Sequence, residues 1–256
     1  MNTRSHLVLV LSLLLVGSGC AAPTDRPASP PGISDGAVTD ANALVRAHTD
    51  ALQSQSFTVR STTTMHGPDG NYRVVNNRTW RIDPTGTVRG AVVSTSTIIG
   101  DAPARYARRP ETVAAWRAGP TTYRRVERNG ETTYRRVALF NSSVKLSAAI
   151  QRQAVYRLNT RRNATVESIT RDGTRLYRVT APLNDTAVTT NASMTLLVDA
   201  NGVVRRLETT QTVQYRSGKR EITRIVEFTD TGATTVERPD WYTHAVDATG
   251  QRPPDG

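Results

Sequence analysis

Two-residue turn signals punctuate this chain at short intervals, and they restrict it to a fold of antiparallel neighbours. The pairs Asn129 and Gly130, Asp172 and Gly173, Asn201 and Gly202, and Ser217 and Gly218 each separate runs rich in Thr, Val and aromatic residues. Asn-Gly and Asp-Gly favour the positive φ angles of a type I′ turn, whose twist matches that of two paired strands. Such a short connection joins antiparallel strands only, because a parallel return needs a crossover of a dozen residues or more. The spacing predicts strands over 163–170, 174–181, 193–199, 203–216 and 220–229. Earlier, "SFTVRSTTTM" (56–65), "NYRVVNNRTWRID" (71–83) and "GTVRGAVVSTST" (86–97) read the same way, with "GPDGN" and "DPTG" as the turns between them. Residues 100–120 carry three prolines and Trp116 and read as a less regular connection.

One turn sits inside a repeat. "TTYRRV" occurs at 121–126 and again at 132–137, on either side of Asn129 and Gly130. A two-residue loop there pairs Arg128 with Glu131, Arg125 with Tyr134 and Tyr123 with Arg136. The repeat then becomes cross-strand symmetry, with Tyr–Arg pairs on one face and Arg124 opposite Arg135 on the other.

Two segments follow a helical period instead. In "TDANALVRAHTDALQSQ", the residues Ala41, Leu44, Val45, His48, Ala51 and Leu52 share one face, and Thr39 is placed to cap. Around 143–158, Leu146, Ala149, Ile150, Gln153, Ala154 and Leu158 cluster on one side. An apolar helix face needs a partner, and one face of a large sheet supplies it. The other strand positions are mostly Thr and Arg, which suits a solvated face. The expected class is α+β: a large curved antiparallel sheet, a half-barrel, packed on two main helices.

The N-terminus says where the chain goes. "LVLVLSLLLVGSG", behind Arg4, is too short to span a bilayer and fits the apolar part of a signal peptide. Cys20 follows it and is the only cysteine. "VGSGC" resembles a lipobox, in which small residues admit the peptidase and the thiol takes the lipid. The expected organisation is a signal peptide (1–19), a lipidated Cys20 with a Pro-rich tether (20–38), one domain (39–245) and a disordered tail (246–256). The expected location is the extracytoplasmic face of the cell membrane, with the membrane engaged through the lipid on Cys20.

"PPGISDGAVTDANALVRAHTDALQSQSFTV" resembles the opening of a family of haloarchaeal lipoproteins of unknown function. "TLLVDANGVVRRLE" (195–208) is similar to a late hairpin found there and in the LolA/LppX-like lipoprotein carriers. The resemblance implies a LolA-like half-barrel with helices packed in its concavity, a space the wider superfamily uses for acyl chains. On that basis Leu44, Leu52, Phe57, Val59, Trp80, Ile82, Leu146, Ile150 and Leu197 are candidate lining residues for a lipid or other hydrophobic ligand. The competing expectation is that these side chains simply fill a core.

Patterns for chemistry are sparse. "GISDG" (32–36) matches the G-x-S-x-G nucleophile pattern but lies in the tether, outside the strand–helix context the pattern needs. His48, His66 and His244 have no metal-ligand spacing, so no metal or cofactor is expected. His48, on an apolar face, reads as a buried histidine with a satisfied ring nitrogen. Asp199, Glu208 and Glu227 lie among arginines and read as salt-bridged groups rather than a catalytic pair. Sequons at Asn77, Asn141, Asn163, Asn184 and Asn191 mark candidate glycosylation sites on the surface. The formal net charge is +11, but the arginines are spread through nearly every strand. That distribution suits anionic lipid head groups better than nucleic acid. The expectation is a non-enzymatic lipoprotein that binds a hydrophobic ligand. The alternative is a non-catalytic cell-surface interaction or structural protein, accessory to a membrane complex.

Overall fold

The computed structural model describes residues 29–85, 89–103, 111–118, 120–137, 146–160 and 163–250. A small hairpin, β1 (Ile33–Ser34) and β2 (Ala37–Val38), leads into helix α1 (Ala41–Gln53). Six strands follow: β3 (Phe57–His66), β4 (Tyr72–Asp83), β5 (Arg89–Gly100), β6 (Glu111–Ala118), β7 (Thr121–Arg128) and β8 (Glu131–Val137). Then come two short helices, α2 (Leu146–Ile150) and α3 (Arg152–Tyr156), and a 3₁₀ turn (Arg157–Thr160). Strands β9 (Thr165–Arg171), β10 (Thr174–Pro182), β11 (Thr189–Val198), β12 (Val204–Tyr215) and β13 (Gly218–Thr229) precede helix α4 (Tyr242–Thr249).

Strands β3 to β13 form one antiparallel sheet in the order β8-β7-β6-β5-β4-β3-β13-β12-β11-β10-β9. It is two meanders joined where β13 pairs with β3. The sheet is curved and does not close, so β8 and β9 are its edges, and the expected α+β class holds. The repeat hairpin has the expected register, including Arg125 opposite Tyr134, Tyr123 opposite Arg136 and Arg124 opposite Arg135. Asn129 and Gly130 take φ 55 and 81, as a type I′ turn requires.

One face of the sheet, here the inner face, carries α1. Ala41, Leu44, Val45, His48 and Leu52 of the helix are buried against it. Phe57, Val59, Trp80, Ile82, Val92, Val179, Leu196, Leu207, Val226 and Phe228 complete that core with α3 and the 3₁₀ turn. A second, smaller core lies on the outer face over β6–β8. There Ala114, Trp116 and Tyr123 pack under Trp241, Ala245 and Val246. The Tyr–Arg face of the hairpin is therefore partly covered, although Arg136 stays exposed. Tyr123 is buried, and the Arg125 guanidinium lies 5.9 Å from the Trp241 ring centroid.

Several expectations are corrected. Folded structure begins before Thr39: Ile33 is buried, and the Gly36 carbonyl accepts a hydrogen bond from Val166 N–H at the edge of β9. The N-cap of α1 is Asp40, whose Oδ1 accepts from Ala43 N–H at 3.0 Å, not Thr39. Within 100–120, residues 111–118 are a regular strand. The second helix is broken at Gln151, which takes φ 57. A continuous helix would turn Val155 away from the core that holds Ala149 and Ile150; the turn resets the phase. The C-terminal tail is helical through Thr249, because Ala245 and Val246 are buried in the outer core. Cys20 and the segment before it lie outside the described residues.

Candidate functional site

Cross-strand partners share a face, so the register sorts the inner face into rows running across the strands. The first row is Phe228, Val59, Trp80, Val92 and Ala115, all buried beneath α1 and its neighbours. The second is Val226, Ser61, Arg78, Ser94 and Val113. The third is Arg224, Thr63, Asn76 and Ser96. The fourth is Ile222, Met65, Val74 and Ile98, four apolar side chains on adjacent strands, each partly exposed. With strands about 4.8 Å apart, that row spans about 14 Å. The inner face thus runs from packed apolar core, through a polar belt with two arginines, to a second apolar strip.

The belt is cationic. Arg224 Nη2 donates to Gln151 Oε1 at 2.8 Å, and its Nε reaches Ser61 Oγ at 3.5 Å. The Arg78 guanidinium lies 5.2 Å from the Trp80 ring centroid. Among the described residues neither arginine has an ion-pair partner. Burial, and then the positive charge of Arg124, hold Arg78 below the usual guanidinium pKa. Burial followed by Arg78 and Arg157 does the same to Arg224. Some arginines elsewhere meet carboxylates. Arg205 binds Asp199 at 2.7 Å, and Arg206 bridges Glu208 at 3.0 Å and Glu227 at 2.6 Å. These three carboxylates are salt-bridged, as read from the sequence.

His48 closes the floor of the core. Its Nε2–H donates to Ile150 O at 2.9 Å, and its Nδ1 accepts from Val204 N–H at 3.2 Å. Those roles define the neutral ring. Burial is the main cause that lowers its pKa from 6.5 to about 4, against the raising effect of the Ile150 bond.

On the outer face, residues 230–241 run beside β3–β7 and leave a cleft of about 790 Å³. Ala91, Val93, Trp116, Arg125, Val236 and Trp241 are among its lining residues. Val93 is exposed there, and the buried indole N–H of Trp116 has no partner among the described residues.

The sequence-predicted lining residues are brought together, but as a core. Leu44, Leu52, Phe57, Val59, Trp80, Ile82 and Ile150 are at most 4 % exposed, and Leu146 packs against their cluster. Leu197 is not with them. It lies on the outer face, with Arg206 and Arg178 as cross-strand neighbours. Asn77, Asn163, Asn184 and Asn191 are exposed; Asn141 lies outside the described residues. In "GISDG", Asp35 and Gly36 form the β1–β2 turn, and Ser34 Oγ bonds Thr39 Oγ1 at 3.4 Å. Sequence reasoning missed Arg78, Arg224 and the fourth row. The local β3–β4 and β4–β5 pairings align Met65, Val74 and Ile98, and the β3–β13 register, which joins segments far apart in the chain, adds Ile222 and Arg224.

A model of a family of unknown function, DUF7537, matches residues 5–245. No curated protein matches the chain. Among solved structures, LprF from Mycobacterium bovis is similar, with 14 % identity and a TM-score of 0.38, over 78 % of this chain and 96 % of that one. A DUF1329 family protein from Desulfovibrio piger has 10 % identity and a TM-score of 0.30, over 84 % and 97 %. A putative outer membrane lipoprotein-sorting protein domain from Vibrio parahaemolyticus has 8 % identity and a TM-score of 0.29, over 81 % and 99 %.

Proposed function

We propose that this chain, which belongs to that family of unknown function, is a lipid-anchored extracytoplasmic protein that holds an amphipathic ligand against the inner face of its sheet. The row Ile222, Met65, Val74 and Ile98 carries this reading. A sheet face that only met water would continue the Thr and Arg pattern to its end. A contiguous apolar strip beyond a polar belt instead gives a ligand one apolar surface and one polar surface. The packed core beside it supplies a rigid floor rather than the ligand space itself. No catalytic role is assigned to any residue.

Titration with a fluorescent fatty acid tests the reading. Saturable binding is expected, and Val74→Asp with Ile98→Asp should weaken it by roughly tenfold or more, since each change places a charge on the strip. Equal binding by the double variant contradicts the site. The anchor rests on Cys20 and its lipobox-like context. Cys20→Ser should shift the protein from the membrane fraction to the soluble one, and unchanged retention would contradict anchoring.

A second reading, docking of a protein partner, is favoured by the outer cleft. An acceptor entering it would satisfy the Trp116 N–H, and an apolar group would cover Val93. Crosslinking in intact cells should then capture one specific partner through this face; recovery of the monomer alone argues against it.

A further inference from the structure

We infer that the polar belt of the inner face binds a phosphorylated head group between Arg78 and Arg224, with the hydrocarbon of the same molecule on the Ile222–Met65–Val74–Ile98 row. This inference rests on the reading above and specifies the ligand's polar end. Arg78 projects from β4 and Arg224 from β13, on either side of β3 and one row apart. Ser61 and Thr63 of β3 lie between them, and Asn76 and Ser94 flank Arg78. Two guanidinium forks with hydroxyl and amide groups around them match a phosphate, whose several acceptor oxygens serve both forks.

The charge balance points the same way. Most ion-paired arginines among the described residues sit exposed beside their carboxylates, whereas Arg224 is partly buried and feels the charge of Arg78 and Arg157, and the more exposed Arg78 has Arg124 as its charged neighbour. Arg124 and Arg157 add positive potential, and Arg124 Nε is itself buried with no hydrogen-bond partner among the described residues. The carboxylate that continues the third row, Glu111, is engaged by Arg128 and lies 3.9 Å from Arg124. Like charges gathered in a partly buried place destabilise the empty protein, and an anion between them removes that cost. The strip begins one row beyond Arg224, so a head group on the arginines leaves its chain over apolar side chains.

Calorimetric titration of the full chain tests this with dihexanoyl-phosphatidylglycerol, dihexanoylglycerol and inorganic phosphate. The anionic lipid should bind roughly tenfold tighter than the neutral one or better. Arg78→Gln with Arg224→Gln should erase that preference and leave the dihexanoylglycerol affinity unchanged. Equal affinity for the two lipids, unaltered in the variant, overturns the head-group site and leaves the amphiphile reading standing. Inorganic phosphate binding as tightly as the phospholipid, with dependence on both arginines, keeps the anion site and overturns the lipid as its source. Binding of none of the three overturns both.

Discussion

His48 is held at both ring nitrogens by backbone groups, from Ile150 and from Val204, inside the apolar core. Protonation would bury a charge, which is the main cause that lowers the folded pKa to about 4, and on Nδ1 it would also break the Val204 bond. The folded value lies below the unfolded one, so the unfolded chain binds the proton first. Stability from this group is complete above pH 6.5 and drains as pH falls through about 4, by about 3 kcal/mol. His48→Leu leaves the Ile150 carbonyl and Val204 N–H unpaired, at a cost of about 2–4 kcal/mol near neutral pH. Urea unfolding from pH 7 to pH 4 should show wild type converging on the variant; parallel curves would contradict this role. The sequence placed His48 on a buried face. It did not reveal either bonding partner, because they stand 102 and 156 positions away.

Elements joined by local signals were readable, and elements decided by distant packing were not. The hairpin at Asn129 and Gly130 was legible down to each cross-strand pair, since turn geometry alone sets that register. The break at Gln151 was not, because Gln has no left-handed preference and is held there with Arg224 bonded to its side chain. Helix α4 was missed for a similar reason. Its two buried residues, Ala245 and Val246, are too few to mark a period, and the outer core fixes it. The stretch "GISDG" illustrates a motif whose glycines have a structural cause. Gly32 takes φ 79, its carbonyl accepts from Thr39 and Asp40 N–H, and a Cβ there would lie 1.9 Å from Asp40 O. Gly32→Ala should cost about 2 kcal/mol or more by detaching the β1–β2 hairpin from the start of α1. Thermal melting checks it, and an unchanged melting temperature would mean the hairpin contributes little to stability.

In the whole molecule, the α+β class and the antiparallel sheet followed from turn spacing and strand composition. The division of the inner face into core, cationic belt and apolar strip did not, since it depends on β13 meeting β3 across the chain. That pairing assigns Met65 and Val74 to one strip with Ile222 and Ile98, and Arg78 to one belt with Arg224. It also recasts part of the net charge of +11: some of the arginines gather on the inner face of the sheet instead of being spread evenly over solvent. Native mass spectrometry of full-length protein, gently extracted from its own membrane, tests the ligand-binding claim most directly. The wild-type protein should carry a reproducible extra mass of one amphipathic molecule, lost in the Val74→Asp, Ile98→Asp variant. A wild-type spectrum showing only the lipidated chain, across independent preparations, would contradict it.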